Sequence, residues 1–83
     1  MNTVFVQIRC EPGRTYDVAQ EIWLREIVSE MYSTSGDYDL IAKIYIPKER
    51  DVGKYLSEEL FDVKGIARTL TTMTFSAIKG AGE

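Results

Sequence analysis

The side chains that could carry out chemistry in this chain of 83 residues are few, and the commonest catalytic type is missing. The sequence contains one cysteine, Cys10, and no histidine. Histidine is the usual general base and metal ligand, and a cysteine nucleophile usually depends on a histidine for activation. The sequence also lacks a glycine-rich phosphate loop and the ligand set of a zinc site. The residue types therefore argue against an enzyme and predict no metal or cofactor.

The charged residues give no sign of nucleic-acid binding. Ten Lys and Arg residues stand against thirteen Asp and Glu residues, and the basic residues are scattered along the chain. Affinity for DNA depends largely on clustered basic residues that displace counterions from phosphates. No apolar stretch approaches the roughly 20 residues that cross a bilayer, and the N-terminus lacks the features of a signal peptide. We therefore expect a cytoplasmic protein that contacts neither DNA nor membranes directly.

The spacing of apolar residues along the chain predicts the strands and helices that would carry a functional site. Alternating apolar residues predict strands at residues 3–10, 28–34, 38–46 and 66–78. Apolar spacings of three and four predict amphipathic helices at residues 14–27 and 52–63. Residues 28–34 could also extend the first helix, but β-branched and aromatic residues before a turn favour a strand. Residues 79–83 predict a loose tail.

This order predicts an α+β fold of ferredoxin-like βαββαβ type, as a single domain over residues 1–83. One four-stranded antiparallel sheet would carry both helices on one face, with Cys10 and Trp23 in the core. The other face would have no cover, and a chain this short builds only a modest core. Packing against a second copy, as in a dimeric α+β barrel, would bury that face. The residues expected on it are Phe5, Gln7, Arg9, Ile41, Tyr45, Met73 and Phe75.

Two short motifs resemble a known family. Residues 35–40 (SGDYDL), followed by alternating apolar residues and Pro47, are similar to a hairpin of the Lrp/AsnC ligand-binding domain, also called the RAM domain. Residues 63–66 (VKGI) and 68–71 (RTLT) are similar to the turn and last strand of that family, and the opening VFVQI with Pro12-Gly13 is a weaker match. The resemblance covers residues 3–79. It is closest to stand-alone members, which lack the helix-turn-helix domain of full-length regulators.

The resemblance implies both an assembly and a ligand. Dimers of this family form by sheet packing and assemble into rings, commonly of four or five dimers, so a homodimer within an octamer or decamer is implied. The amino-acid effector lies between adjacent dimers and modulates transcription or amino-acid metabolism, with a full-length Lrp/AsnC regulator as a further partner. Carried over by position, the effector-binding residues are Gly36, Asp37, Tyr38, Asp39, Thr72, Met73 and Thr74.

These residue types suit a free amino acid. The ligand ammonium needs an acceptor, and a carboxylate such as Asp37 or Asp39 gives a charge-assisted hydrogen bond. Backbone N–H groups beside Gly36 could hold the ligand carboxylate, because glycine lets the main chain approach closely. The threonine hydroxyls of the last strand could donate to a remaining oxygen, and Met73 could adapt to an apolar ligand side chain.

Simpler explanations stay open for the same residues. Gly-Asp is common in hairpins because of turn geometry alone, an aspartate at a strand start usually caps backbone N–H groups, and alternating threonines suit any strand. Two other functions also fit. A small dimeric α+β-barrel enzyme of monooxygenase or isomerase type would need a pocket beneath the helices of each subunit, whereas a structural docking module needs none. A ligand between dimers near Asp37 and Thr72 would favour sensing.

Overall fold

The computed structural model describes residues 1–80 and confirms the predicted order of elements. These elements are β1 (Asn2–Cys10), α1 (Thr15–Leu24), β2 (Glu30–Ser33), β3 (Leu40–Ile46), α2 (Val52–Glu59) and β4 (Ile66–Met73). The second and last strands are shorter than predicted. Of the predicted tail, residues 79 and 80 form no helix or strand, and residues 81–83 lie outside the described part of the chain.

The four strands form one antiparallel sheet in the order β2-β3-β1-β4, which confirms the ferredoxin-like α+β class. β1 lies in the middle and pairs with β3 from Asn2 opposite Ile46 to Ile8 opposite Leu40. On its other side it pairs with β4, and the register is interrupted between Arg9 and Cys10. Such a bulge bends a strand and leaves backbone groups without ladder partners. Other groups must satisfy them.

The core lies between the sheet and the two helices. Alternate residues of β1 and β3 point toward the helices, because successive side chains of a strand face opposite sides. Thirteen buried apolar residues form this core. They are Val4, Val6, Ile8, Cys10, Val18, Ile22, Leu40, Ala42, Ile44, Ile46, Leu56, Leu60 and Val63. Cys10 is thus a buried core residue as predicted, and burial, with a smaller contribution from the Asp39 charge, raises the pKa of its thiol.

The prediction that Trp23 lies in the core is wrong, because its side chain is 60% exposed. In α1 the core positions are Val18 and Ile22, which lie four residues apart on one face. Each further residue turns about 100° around the helix axis. Trp23 follows Ile22 directly and is turned about 100° away from it, toward solvent. Within residues 1–80, no helix is long and apolar enough to cross a membrane.

The sheet face that points away from the helices is called the open face here. It carries the strand residues that alternate with the core, namely Thr3, Phe5, Gln7, Arg9, Glu30, Tyr32, Ile41, Lys43, Tyr45, Arg68, Leu70 and Thr72. Five of the seven residues predicted for this face are therefore confirmed. The prediction for Met73 is wrong: it lies opposite Val4, and directly opposed residues share a face, so it points to the helix side. Phe75 follows the end of β4 and is fully exposed.

Candidate functional site

The loop between β2 and β3, residues 34–39, folds back on itself through Thr34. The Thr34 backbone N–H donates to the Asp39 carbonyl oxygen at 2.9 Å, and its hydroxyl donates to the Tyr38 carbonyl oxygen at 3.0 Å. Gly36 has a φ of +95°, a conformation that favours glycine, and an added Cβ atom there would meet no atom within 4 Å. The sequence SGDYD therefore forms a compact loop whose tip is exposed.

Asp39 holds this loop against the end of β1. Its carboxylate Oδ2 accepts a hydrogen bond of 2.8 Å from the Cys10 backbone N–H, and its own N–H donates to the Ile8 carbonyl oxygen at 2.8 Å. The Cys10 N–H points to the β3 side of β1, beyond Ile8, the last β1 residue that pairs with β3. The capping explanation given for an aspartate at a strand start thus accounts for Asp39. The Asp39 side chain stabilises the fold by joining the loop to β1.

Replacing Asp39 by alanine is expected to lower the free energy of unfolding by about 1–2 kcal/mol, because the Cys10 N–H would lose its acceptor. Asp39→Asn should cost less, since the amide oxygen can accept the same hydrogen bond. Urea unfolding of both variants and wild type, at one protein concentration, measures the difference. Equal stability of wild type and Asp39→Ala would show that the Cys10 hydrogen bond contributes nothing.

Asp37 presents a different environment. Its side chain is exposed, and within residues 1–80 its carboxylate makes no hydrogen bond or ion pair. Its carbonyl oxygen, by contrast, accepts a hydrogen bond of 2.7 Å from Nη1 of Arg9. Of the two aspartates that the resemblance implies, Asp37 is therefore the one with both carboxylate oxygens free of contacts within residues 1–80.

Two arginines that were not predicted as site residues complete this corner of the sheet. Arg9 and Arg68 lie directly opposite each other on β1 and β4 and share the open face. The Arg68 guanidinium lies over the Tyr38 ring, 5.2 Å from its centroid, which is within the range of a cation–π contact. The corner formed by Arg9, Asp37, Tyr38 and Arg68 is called the hairpin corner below. Arg68 stands in the second motif of the sequence, but nothing in that motif indicates its contact with the loop.

The other predicted site residues lie at the opposite end of β4. Thr72 is four residues beyond Arg68, a distance of about 13 Å along a strand. Thr74 donates from both its N–H and its hydroxyl to the Thr3 carbonyl oxygen, at 3.3 and 2.7 Å. One chain therefore does not bring the hairpin loop and the end of the last strand together. A site with both parts needs two subunits.

The three last-strand residues also do not share one face. Thr72 lies on the open face opposite Phe5, near a groove of about 400 Å³ that Thr74 and residues 76–80 help to line. Met73 points to the helix side, where it lines a second groove of about 360 Å³ together with Val52, Leu56 and Phe61. Met73 therefore cannot join both threonines around one small ligand without a change in the strand.

The fold places this chain in the class of ferredoxin-like α+β domains. Comparison with known families is more specific: the family profile described as the Lrp/AsnC ligand binding domain matches residues 3–83. The chain belongs to the Lrp/AsnC ligand-binding domain family.

The relatives of this chain are transcription regulators. It is 35% identical over 80 residues to an uncharacterized HTH-type transcriptional regulator of Pyrococcus furiosus, a match that covers 93% of this chain and 53% of the relative. A regulator of the same description from Pyrococcus abyssi is 30% identical, again over 93% and 53% of the two chains. The chain thus spans about half the length of the curated relatives that it matches.

Solved structures agree with the fold. A protein from Thermus thermophilus superposes with a TM-score of 0.85 and 29% identity, covering 96% of this chain and 100% of that chain. AsnC of E. coli superposes with a TM-score of 0.86 over 95% of this chain and 54% of that chain. The E. coli protein is only 16% identical, so this likeness supports the fold alone.

Proposed function

We propose that this chain is an effector-binding and oligomerisation module whose ligand is a free amino acid, and that it modulates transcription or amino-acid metabolism without catalysing a reaction. The observation that carries the proposal is the hairpin corner, where the Asp37 carboxylate is exposed in the same loop that contacts the guanidinium groups of Arg9 and Arg68. A free amino acid carries an ammonium and a carboxylate a short distance apart. It therefore needs one acceptor and one donor group in close range.

The same proposal includes an assembly. The open face exposes apolar residues such as Leu70 and Tyr45, which a second copy would cover. A ring of eight or ten subunits would then set the hairpin corner of one subunit against the Thr72 end of a neighbour. Membership in the Lrp/AsnC family supports this arrangement. Light scattering is expected to report a mass several times the 9.5 kDa of one chain, and a monodisperse monomer would contradict it.

The regulator relatives support a cytoplasmic location and a full-length Lrp/AsnC regulator as partner. The chain itself has a net charge of −3 and no run of basic residues, so we propose that residues 1–83 do not bind DNA. An enzyme of the monooxygenase or isomerase type would need a pocket beneath the helices. In the described residues, thirteen buried apolar side chains fill the space between the helices and the middle of the sheet. The groove of about 360 Å³ between α2 and β4 is lined mainly by apolar side chains and carries no histidine or cysteine, which favours the binding role.

Neutralising Asp37 is expected to weaken amino-acid binding by roughly tenfold to more than a hundredfold. Asp37→Asn would remove a charge-assisted hydrogen bond to the ligand ammonium, a loss of about 1.5–3 kcal/mol. A thermal-shift screen of the twenty amino acids on wild type identifies the best binder, and calorimetric titration then gives its affinity for each variant. Asp39→Asn should have the smaller effect, because the Asp39 carboxylate bonds to the Cys10 N–H.

A control is Asp17→Asn, which removes another exposed carboxylate, one on α1 that pairs with Arg14. Its affinity should equal that of wild type. If Asp37→Asn binds the amino acid as tightly as Asp17→Asn, the ammonium lies elsewhere. If the screen finds no amino acid that raises the unfolding temperature, the effector itself is of another class.

A further inference from the structure

The two arginines of the hairpin corner are unusual among the five arginines of the chain. Each of the other three, Arg14, Arg25 and Arg50, has a carboxylate oxygen within 3.3 Å. Arg9 and Arg68 have no ion pair within residues 1–80. They are also the pair that stands side by side, directly opposed on β1 and β4. Like charges in directly opposed positions destabilise a sheet. A bound anion between the two arginines would offset that cost.

Most of the hydrogen-bonding capacity of this pair remains free. Arg9 gives one N–H to the Asp37 carbonyl oxygen, and a guanidinium carries five N–H donors. Arg68 is held by the Tyr38 ring, a contact that leaves the edge of a guanidinium plane open to acceptors. Both guanidinium groups are thus restrained by the loop while their remaining donors are exposed. Such preorganised donors suit an anion.

A second copy packed on the open face would not neutralise the pair. The charged strand residues of that face are Arg9, Lys43, Arg68 and Glu30. The Glu30 carboxylate forms an ion pair with Lys43, with Oε2 3.4 Å from Nζ, so it is not free to pair with an arginine of a second copy. Face-to-face packing of two copies would therefore bring together more positive than negative charge. Asp37 belongs to the corner, but its carboxylate lies beyond ion-pair distance of both arginines.

We propose that the Arg9–Arg68 pair is the carboxylate subsite of the effector, and that the site selects free acids over their amides. The inference rests on the function proposed above, in which Asp37 takes the ammonium. A planar guanidinium matches a carboxylate with two parallel hydrogen bonds, which the backbone N–H groups beside Gly36 would not provide. Arg9 and Arg68 are thus specificity-determining residues, and they replace the Gly36 backbone as the expected partner of the carboxylate.

The test compares one amino acid with its own carboxamide. The strongest binder among the twenty amino acids and its primary amide are titrated by calorimetry into wild type, Arg68→Gln and Arg50→Gln. Wild type should bind the acid at least tenfold more tightly than the amide. Arg68→Gln should bind the acid and the amide with about equal affinity, because its affinity for the acid is weakened. Arg50→Gln, which removes an arginine paired with Glu58, should keep the wild-type preference.

Two further measurements separate the failure of this inference from the failure of the proposed function. Sodium acetate should raise the unfolding temperature of wild type more than sodium chloride at equal ionic strength, and this excess should vanish in Arg68→Gln. Arg68→Lys keeps the charge but loses the planar fork, so its preference for the acid should be intermediate. Arg68→Gln removes both the like-charge pair and the contact with the Tyr38 ring, so the acetate effect in each variant is measured against that variant's own unfolding temperature in chloride.

The outcomes are distinct. A wild type that binds acid and amide equally, or an Arg68→Gln variant that keeps the preference, overturns the carboxylate subsite while amino-acid binding stands. Failure of all twenty amino acids to bind overturns the proposed function. The acetate comparison then still decides whether the arginine pair is an anion site, and an equal response of wild type and Arg68→Gln overturns it.

Discussion

Replacing Gly65 by alanine is expected to destabilise the domain by about 2–5 kcal/mol. Gly65 has a φ of +100°, and an L-residue in the left-handed region costs about 1–2 kcal/mol. A Cβ atom there would lie 2.8 Å from Cγ2 of Val18 and 3.3 Å from Cβ of Arg14. Val18 is 1% exposed, so the core cannot yield without strain, and overpacking adds about 1–3 kcal/mol. The turn is also tied to the end of β1, since the Glu11 N–H donates to the Gly65 carbonyl oxygen.

Two other glycines provide matched controls for the same substitution. Gly36 has a similar φ of +95° but open space around it, so Gly36→Ala should show the backbone cost alone, about 1–2 kcal/mol. Gly53 lies in α2, where a Cβ atom would meet Asp51 at an ordinary 3.5 Å. Gly53→Ala should therefore be neutral or stabilising by up to about 1 kcal/mol. Urea unfolding of the three variants at one protein concentration gives the order, and an equal loss at Gly65 and Gly36 would exclude the contact with Val18.

The order of elements and most of the core could be predicted from the sequence because hydrophobic periods report directly on burial. The alternation in β1 and β3 assigns their residues to a face without ambiguity. The errors occur where that signal is weak. Ile22 and Trp23 are adjacent apolar residues in one short helix, and only tertiary packing decides which is buried. In β4, the run Thr71-Thr72-Met73-Thr74 has no hydrophobic alternation, so the register against Val4 alone places Met73.

The hairpin loop could be predicted from local turn chemistry, whereas its contacts could not. Asp39 accepts a hydrogen bond from Cys10, which lies 29 residues away in sequence, and Tyr38 contacts Arg68 of β4 across the intervening strand β1. Because β4 runs antiparallel to β1, the start of β4 lies beside the loop and its end lies beside Thr3. Sequence similarity covers both ends of β4 and does not show which end lies beside the loop. Only the register shows that the loop of one chain meets Arg68 rather than Thr72.

Introducing a charge at Leu70 is expected to dissociate the proposed dimer. Leu70 is 49% exposed on the open face, in a row that runs across the sheet through Gln7 and Ile41 to Tyr32. Burial of a leucine side chain contributes about 1.5–3 kcal/mol, and an uncompensated buried carboxylate costs more still. A twofold interface contains each position twice. Leu70→Asp should therefore weaken association by roughly 4–8 kcal/mol, which is about a thousandfold or more.

Light scattering and sedimentation across a range of protein concentrations measure this loss as a fall toward the 9.5 kDa of a single chain. Leu24→Asp is the matched control, because Leu24 is 64% exposed but lies at the end of α1, on the opposite layer of the domain. It should keep the sheet-to-sheet dimer. If Leu24→Asp dissociates the protein while Leu70→Asp does not, the copies meet through their helices, and the open face has another partner.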